Sequence, residues 1–407
     1  MSAPLVEAGF FPLDDELHLL PGSLTPRLQE ALVRLSTHIP SFAKAAGELA
    51  YFTGAIVHPD TARRQTIAAG ALLVHHETAQ AKHILDTHPA SPATPDTLVF
   101  SVDGAFVPLI HGQWTEVRTL AVGTVQPLAP TPDGPRTHTT NLSYFSRRTD
   151  STNFSELALV ELHRRGIEGA RRVGAVVDGA AWCQTFIDNH YPEAVRILDF
   201  AHASEYITRI GNGSGSSGPL LSDGERAELR WSLKHEQPAA VLEQLKSVVT
   251  SAAGQAELTP YLAYLTSRLN QMQYAQFAAE GWPIGSGMVE SANKLVVEDR
   301  LKGAGMHWAE PNVNPLLALR NAVCNDRWPE KWAVIEQEQR RQAATKRRTQ
   351  QAKRRASRCV IGASATPPET VAAQNVQAAS TEPRVKSPHP WRRAWSIRRQ
   401  CEIANAA

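Results

Sequence analysis

The chain has 407 residues, 42% of them hydrophobic and 20% charged, which is typical of a globular protein long enough for two or three domains. Its formal net charge of +2 averages over unlike parts, because roughly the last seventy residues are strongly basic, a pattern that favours a nucleic-acid contact or a basic tail. Four cysteines without a C-x-x-C pair argue against a zinc ribbon or a disulfide framework, and the lack of a secretory signal or of an apolar run of about eighteen residues predicts a cytoplasmic protein with no membrane partner.

Residues 1–95 are predicted to form a mostly helical, DNA-binding domain. Periodic leucines and the glycine and proline boundary signals indicate three helices, near Leu28, at about Ser41–Tyr51 and from Pro59. The third helix carries Arg63 and Arg64 near its start. Two helices joined by a short turn, with basic residues early in the second, fit a helix-turn-helix, and a plain helical hairpin is the alternative.

Residues 96–210, together with 281–335, are predicted to form a mixed α/β catalytic core. Apolar segments joined by short loops indicate an antiparallel meander over Leu98–Val102, Trp114–Val125 and Leu142–Phe145. Short strands then alternate with a helix, at Val173–Val177, Trp182–Asn189 and Ala194–Leu198. This alternation implies parallel pairing through a right-handed crossover. Three antiparallel strands followed by parallel units are the order of a ribonuclease-H-like fold.

Residues 211–280 are predicted to be a helical insertion in the core, beginning with the Gly/Ser-rich loop 211–218. Two interpretations of Trp231 in this insertion stay open, a buried core side chain and a ring that stacks on a DNA base. Residues 336–407 are predicted to be a basic, largely disordered tail. The basic run 340–358 within it is either a helix or an arm, and it either contacts DNA phosphates or is solvated.

Two aspartates occupy the same position in a short repeated motif, Val-Asp-Gly-Ala, which occurs at Val102–Ala105 and again at Val177–Ala180. Each copy is predicted to end an apolar strand, so that Asp103 and Asp178 lie at the edge of the sheet where ligands gather. Carboxylates that close repel one another unless they share a cation. Turn chemistry is the alternative for each Asp-Gly taken singly.

Glu290 follows a Gly-Ser-Gly turn, near the start of a predicted helix. The simple alternative is a favourable interaction with the helix dipole. A helix entered through glycines also lets the backbone approach a phosphate, and Lys294 on the same face would meet DNA. Three carboxylates without histidine or cysteine ligands predict Mg²⁺ rather than zinc. Two such ions clamp the attacking and leaving oxygens of a phosphodiester displacement.

Several segments in combination resemble bacterial insertion-sequence transposases of the ISKra type, which have a DDE catalytic core. The matching segments are Phe10–Asp14, Val102–Gly104, Trp114–Val117, Val177–Trp182, Ile197–Tyr206, Gly285–Ser291 and His389–Arg392. The resemblance covers roughly residues 5–335 and the end of the chain. Many members carry further N-terminal sequence, in some with paired cysteines, which this sequence does not show; whether this copy is shortened there stays open.

The resemblance implies a ribonuclease-H-like core that cleaves and joins DNA strands at terminal inverted repeats. It implies that Asp103, Asp178 and Glu290 bind two Mg²⁺ ions, for which Mn²⁺ is expected to substitute. Asp199 and His202 match a D-x-x-H motif whose histidine contacts DNA or orients an active-site group; a helix-capping Asp199 and a core-edge His202 are the alternative.

The partners implied by the resemblance are double-stranded DNA, at the inverted repeats and at the target, and further copies of the chain on that DNA. The expected location is the bacterial cytoplasm at the nucleoid. Two rivals stay open. One is a catalytically silent or domesticated DNA-binding protein, and the other is a ribonuclease-H-like nuclease without strand transfer.

Overall fold

The structure is a computed structural model, and it describes residues 24–126, 137–213, 218–252 and 254–363. The strands are β1 (Thr97–Pro108), β2 (Trp114–Val125), β3 (Thr139–Arg147), β4 (Arg172–Val177) and β5 (Val195–Leu198). The helices up to the end of the sheet are α1 (Pro26–His38), α2 (Phe42–Thr53), α3 (Pro59–Thr87), α4 (Ser151–Arg164), α5 (Ala181–His190) and α6 (Phe200–Asn212).

The helices after the sheet form the insertion and the return to the core. The insertion contains α7 (Asp223–His235), α8 (Pro238–Ser251), α9 (Gln255–Thr266) and α10 (Tyr274–Ala279). Helix α11 begins as Gly287–Ala292, continues as the π-helix Asn293–Glu298 and ends with Asp299–Leu301. The last two helices are α12 (Val313–Cys324) and α13 (Trp328–Ala363).

The sheet has five strands in the order β3-β2-β1-β4-β5. β2 pairs antiparallel with β1 and β3, whereas β4 runs parallel to β1 and to β5. The predicted meander followed by parallel strands is therefore confirmed, and with it the mixed α/β class. β4 is a short run of buried apolar residues, as expected for a parallel strand covered on both faces.

Helices cover both faces of this sheet. On one face, α4 and α5 pack Phe154 and Phe186 against β1. On the other face, the insertion helices and α6 form a core that includes Val99, while α11 and α12 form a second core that includes Ala105. Successive side chains of a strand alternate between faces, so Asp103 shares this face with Val99 and Ala105. Asp103 thus lies on β1 between the two groups of helices.

The N-terminal helices pack directly on the core. α3 lies along α12 and α4. Its Gly70 comes so close to the backbone of Pro315 that a Cβ there would collide with the Pro315 carbonyl group. The described residues up to Arg347 form one compact unit. Phe10–Asp14, the first segment of the family resemblance, lies outside the described residues.

Strand β1 runs further than predicted. It continues through Asp103 and Gly104 to Pro108, so Asp103 lies inside the strand and does not end it. The reason is that β2 pairs with β1 along this whole length, as far as Trp114 opposite Pro108. The hydrogen-bonded ladder overrides the turn preference of Asp-Gly. Asp178, by contrast, directly follows the end of β4 as predicted.

Helix α13 crosses the predicted boundary at residue 336. It runs from Trp328 to Ala363, so the basic run 340–358 is a helix, one of the two alternatives for it. Residues 364–407, which include His389–Arg392, and residues 214–217 of the predicted Gly/Ser loop lie outside the described residues. None of the helices in the described part of the chain has the length and apolar character needed to cross a membrane.

Candidate active site

Three aspartates lie in or directly after adjacent parallel strands: Asp103 in β1, Asp178 after β4 and Asp199 after β5. β1 and β4 pair in constant register, and the last pair is Phe100 opposite Ala175. Three residues beyond that pair on each chain segment are Asp103 and Asp178. The register of β4 and β5 brings Asp199 level with Asp178. Because neighbouring strands lie about 4.8 Å apart, the three residues form a short row across the sheet.

The carboxylate of Asp103 is held on both oxygens by neutral donors. Its Oδ1 accepts a hydrogen bond of 2.7 Å from the backbone N–H of Gly104, and its Oδ2 accepts one of 2.9 Å from Nδ2 of Asn293 on α11. Asn293 is only 7% exposed, and its own Oδ1 has no hydrogen-bond partner. A buried amide oxygen without a partner is costly, so this atom calls for a ligand or a water.

The electrostatic setting of Asp103 disfavours its charged form. Burial raises the pKa of Asp103 above its ordinary value, and the carboxylates of Asp178 and Glu290 raise it further, against the lowering effect of the bonds from Gly104 and Asn293. No ion pair among the described residues involves any of these three carboxylates. A cation bound beside them would relieve this repulsion.

Asp178 is fixed by its own turn and by a thiol. Its Oδ1 accepts a hydrogen bond of 2.9 Å from the backbone N–H of Ala180 and lies 3.3 Å from Sγ of Cys183. The same Sγ lies 3.8 Å from the carbonyl oxygen of Val102, so the thiol bridges β4 to β1. Burial, and then the charge of Asp178, raise the pKa of Cys183 and keep it a neutral donor. Within the described structure, no hydrogen bond uses Oδ2 of Asp178.

Glu290 lies in the first turn of α11 and is exposed. Asn293 follows it at i+3, so the two side chains share one helix face, and that face meets Asp103 through Asn293. In the described residues, no three His, Cys, Asp or Glu side chains are close enough to hold one metal ion as they stand. Asp103, Asp178 and Glu290 therefore act on one another electrostatically without forming a complete ligand set in this arrangement.

Helix α11 changes its winding at the residue that holds Asp103. The π-helical segment begins at Asn293, and the carbonyl of Leu295 within it accepts a hydrogen bond from Arg320 of α12. Sγ of Cys324 lies 3.7 Å from the same carbonyl. Single π-turns inside α-helices are frequent at functional sites because they re-aim the side chains around them. Here the π-turn sets the angle between Glu290 and the residues that follow it.

Asp199 has a structural role. It is 4% exposed, its Oδ1 accepts a hydrogen bond of 2.7 Å from the N–H of His202 as the N-cap of α6, and its Oδ2 accepts one of 2.6 Å from the N–H of Ser286. The capping alternative is thus the one found, and both oxygens accept hydrogen bonds from within the chain. Asp199 ties the turn before Glu290 to the end of β5.

His202 lies at the edge of an aromatic cluster. The half-buried imidazole ring is 5.3 Å from the ring centroid of Tyr206 and 6.1 Å from that of Tyr264, and the two tyrosine rings stack at 4.2 Å. This matches the core-edge alternative for His202. The cluster joins α6 to α9 of the insertion.

The remaining predicted DNA contacts are surface residues. Arg63 and Arg64 are exposed and both pair with Asp60 one turn earlier, at 2.7 and 3.0 Å. Lys294 is exposed next to Asn293. These positions suit contact with a large ligand, and a role in DNA binding stays a prediction for all three.

The interpretation of Trp231 as a buried core residue is wrong. The side chain is 57% exposed, on the side of α7 opposite the buried Leu229 and Leu233, and its ring lies 5.0 Å from that of His235. The leucines alone supply the apolar face of this helix. An exposed indole leaves the stacking interpretation standing as a prediction.

Four residues that touch the aspartates or their turn were not singled out from the sequence: Cys183, Tyr264, Arg268 and Asn293. Asn293 had a local signal, since it stands one helical turn after Glu290. Cys183 had a similar signal, since it stands five residues after Asp178 in the first turn of α5. Tyr264 and Arg268 reach the turn after Asp178 from the insertion, through tertiary packing that no local pattern encodes.

Comparison of the chain with protein-family models and with curated proteins finds no match.

Proposed function

We propose that the protein is a DNA transposase that cleaves and joins phosphodiesters at the ends of an insertion sequence, with Asp103, Asp178 and Glu290 as its catalytic carboxylates. One observation carries the proposal. Asp103 lies in β1 and Asp178 directly after its parallel neighbour β4, both close enough to Glu290 of α11 for the three charges to repel, and none of the three carboxylates has an ion-pair partner in the described part of the chain. Three neighbouring carboxylates without basic partners are typical of a site in which bound cations neutralise the negative charge.

The arrangement of the sheet supports a ribonuclease-H-like core. Its three antiparallel strands continue into two parallel ones, in the order β3-β2-β1-β4-β5. Asp103 lies on the central strand and Asp178 at the end of its parallel neighbour. Helices α7 to α10 would then be the helical insertion predicted for residues 211–280.

The donor atoms fit a hard divalent cation. Asp103 and Asp178 offer carboxylate oxygens, and the orphaned Oδ1 of Asn293 offers a buried amide oxygen beside them. Mg²⁺ prefers such oxygen ligands and retains several waters. Asp103, Asp178 and Glu290 would hold two Mg²⁺ ions, or Mn²⁺ in their place. When bound, the ions would activate the attacking oxygen and stabilise the leaving one.

The residues of the chain hold these ligands still. Asn293 and Gly104 fix both oxygens of Asp103, while Ala180 and Cys183 fix Oδ1 of Asp178. Hydrogen bonds from neighbouring residues to metal ligands orient those ligands and tune their basicity. Asp199 holds the turn from which α11 departs, so the place of Glu290 depends on the end of β5.

The proposed chemistry needs no external energy source. In the first step, a water oxygen bonds to phosphorus and the bond from phosphorus to the 3′ oxygen breaks; one proton of the water is transferred to the leaving 3′ oxygen, so that a free 3′ hydroxyl and a 5′ phosphate are left. In the second step, that 3′ hydroxyl attacks a phosphodiester of target DNA and displaces a new 3′ oxygen. One P–O bond replaces another, which positioning and charge stabilisation suffice to catalyse.

Double-stranded DNA and at least one further copy of the chain would be the partners, in the cytoplasm at the nucleoid. Lys294 is exposed beside the site, and Arg63 and Arg64 are exposed on α3. Cations of this kind supply salt-sensitive contacts to DNA phosphates. Pairing of two DNA ends would bring two copies together.

The test is cleavage of a plasmid that carries the DNA flanking the gene on both sides, with Mg²⁺ or Mn²⁺. The full chain should nick at the boundaries of the element and join the ends to target DNA. Asp103→Ala, Asp178→Ala and Glu290→Ala should each lower the rate by about a thousandfold or more, the loss expected when a metal ligand is removed from such a site.

Asp96→Asn is the matched control. Asp96 is an exposed carboxylate paired with Arg171, directly before the start of β1. Its variant should cleave at the wild-type rate. Cleavage that survives Asp103→Ala would refute the assignment. Cleavage without joining would point to a hydrolytic nuclease, and metal-independent binding without cleavage would point to a silent DNA-binding protein.

A further inference from the structure

The helical insertion reaches the row of aspartates through α9 and the residues that follow it. Tyr264 donates its hydroxyl hydrogen to the backbone carbonyl of Asp178. Arg268, one helical turn later, donates to the carbonyl of Gly179 from Nε at 3.2 Å and from Nη2 at 2.7 Å. The guanidinium carbon lies 3.8 Å from the centroid of the Tyr264 ring. The two side chains thus form one stacked unit over the turn.

The turn that this unit holds has little freedom of its own. Gly179 is buried and has a φ of +79°, which non-glycine residues rarely adopt. A Cβ at this position would meet the Tyr264 hydroxyl and lie 2.8 Å from Nε of Arg268. The insertion and the turn are therefore fitted to each other at van der Waals distance. Glycine is required both by the backbone angle and by the approach of the two side chains.

The two carbonyls need these donors because the sheet no longer supplies them. β4 ends at Val177, whose carbonyl accepts from the N–H of Asp199 in the last rung of the sheet. The carbonyls of Asp178 and Gly179 lie beyond that rung. An unpaired buried carbonyl costs about 1–3 kcal/mol, so donors from elsewhere decide whether the turn keeps this shape.

The orientation of the Asp178 carboxylate follows from the shape of the turn. Its Oδ1 is held by the N–H of Ala180, the residue directly after Gly179. If the Gly179 peptide rotates, this N–H rotates with it and releases the carboxylate.

We infer that Tyr264 and Arg268 are positioning residues, through which the insertion fixes the direction in which Asp178 presents its carboxylate. Their catalytic consequence rests on the proposed function, whereas their hold on the turn does not. The insertion is then a working part of the active site. Its removal or displacement changes the geometry at Asp178 without touching DNA.

Variants can separate this role from simple packing. Tyr264→Phe keeps the ring, and hence the 4.2 Å stack on Tyr206, but removes the hydroxyl. Arg268→Gln removes the paired donors, and Arg268→Lys keeps a cation with a single donor group. Tyr261→Phe is the matched control, because Tyr261 lies on the same helix and in the same cluster, 5.9 Å from Tyr206, and its hydroxyl is not bonded to the turn.

The experiment measures two properties of each full-length variant. The first is hydrogen exchange of the Ala180 amide, which reports its bond to Asp178 directly and needs no activity. The second is the Mg²⁺ concentration for half-maximal cleavage of the plasmid used above. Tyr264→Phe and Arg268→Gln should speed exchange and raise the half-maximal Mg²⁺ concentration about 10-fold or more, the usual effect of removing a group that orients a metal ligand. Arg268→Lys should recover part of both, and Tyr261→Phe should match the wild type.

Different results would overturn the positioning role of Tyr264 and Arg268 and the assignment as a transposase. If exchange at Ala180 and the Mg²⁺ dependence in Tyr264→Phe and Arg268→Gln equal those of Tyr261→Phe, the positioning role is overturned. If the wild type does not cleave at all but exchange at Ala180 speeds up only in these variants, the hold on the turn stands and the transposase assignment falls.

Discussion

Carboxylates cluster in two regions of the protein, and among the described residues only one of these regions has basic ion-pair partners for them. Where α3, α4 and α13 meet β3, Glu77 is ion-paired with Arg147 and lies 3.8 Å from Lys331. In the same region Glu161 accepts from both terminal nitrogens of Arg327, at 2.5 and 2.8 Å. These carboxylates are neutralised inside the chain, as buried charges in structural positions usually are.

The row of aspartates is built in the opposite way. Asp103 and Asp178 have neutral donors only, and Glu290 adds a third negative charge. Arginines are available in the fold, since Arg147 and Arg327 neutralise Glu77 and Glu161 in the other region. Asp103, Asp178 and Glu290 therefore repel one another, and a bound cation would remove this repulsion. The comparison separates carboxylates that are paired within the chain from carboxylates that we propose as ligands of a bound cation.

The largest change in stability is expected from breaking a paired carboxylate. Arg147→Met leaves Glu77 buried with only the more distant Lys331, and should lower the free energy of unfolding by about 3–5 kcal/mol. Urea unfolding followed by circular dichroism measures this. The double variant Glu77→Met/Arg147→Met should recover most of the loss. A single variant with less than about 1 kcal/mol of loss would show that the pair is not what stabilises this region.

Asp199 differs from Asp103 and Asp178 because backbone N–H groups from two other segments use both of its oxygens. Asp199→Asn replaces one of two accepting oxygens by an NH₂ group that faces the N–H of His202 or of Ser286. The free energy of unfolding should fall by about 1–3 kcal/mol, the usual loss for a hydrogen bond to a charged group. An unchanged stability would mean that the turn before Glu290 is held by other contacts.

Substitution of Asp103 should raise the free energy of unfolding, whereas substitution of Asp199 should lower it. Its pKa is raised in the folded state, so ionised Asp103 favours unfolding, and stability is lost as pH rises through the titration of this group. Asp103→Asn removes that charge and its new NH₂ group can donate to Oδ1 of Asn293. Without metal, the free energy of unfolding of the variant at pH 7 should be about 1 kcal/mol higher than that of the wild type, within the usual range for stabilising substitutions at functional sites.

The control for Asp103→Asn is the dependence on pH. The gain should be present at pH 7 and shrink below pH 4, where Asp103 is protonated in both states of the wild type. A destabilised Asp103→Asn at pH 7 would show that the carboxylate is a structural group like Glu77.

The smallest effect is expected at an exposed ion pair. Arg63→Gln removes one partner of Asp60 on the surface of α3 and should change the free energy of unfolding by less than about 1 kcal/mol. Its informative readout is DNA affinity against salt concentration. A phosphate contact would make the slope shallower by about one counterion. An unchanged slope would remove Arg63 from the DNA-binding surface.

The strand pattern of the fold could be predicted, because each strand is a local run of apolar residues. The place of Asp103 within β1 could not. Its Asp-Gly pair has the local preference of a turn, and only pairing with β2 carries the strand on to Pro108. Local preference fails here because the ladder supplies hydrogen bonds along the whole length.

The candidate site could be predicted in part for the same physical reason. Asp178 and Glu290 follow local signals, the end of a strand and the start of a helix. Tyr264 and Arg268 meet Asp178 through the packing of α9, which is fixed by tertiary contacts. Trp231 was expected in the core as one of two alternatives, but the leucines of α7 already fill its apolar face.

The central claim is that the row of aspartates binds a divalent cation that the chain does not replace. Thermal unfolding of the full chain with increasing Mg²⁺ or Mn²⁺ tests it without any assumption about DNA. At a hundredfold excess over the dissociation constant, the metal should stabilise the wild type by about 2.7 kcal/mol, which raises Tm by several degrees. Asp103→Asn and Asp178→Asn should lose this rise, and Asp96→Asn should keep it. An equal rise in Asp103→Asn and the wild type, or none in the wild type, would contradict the account.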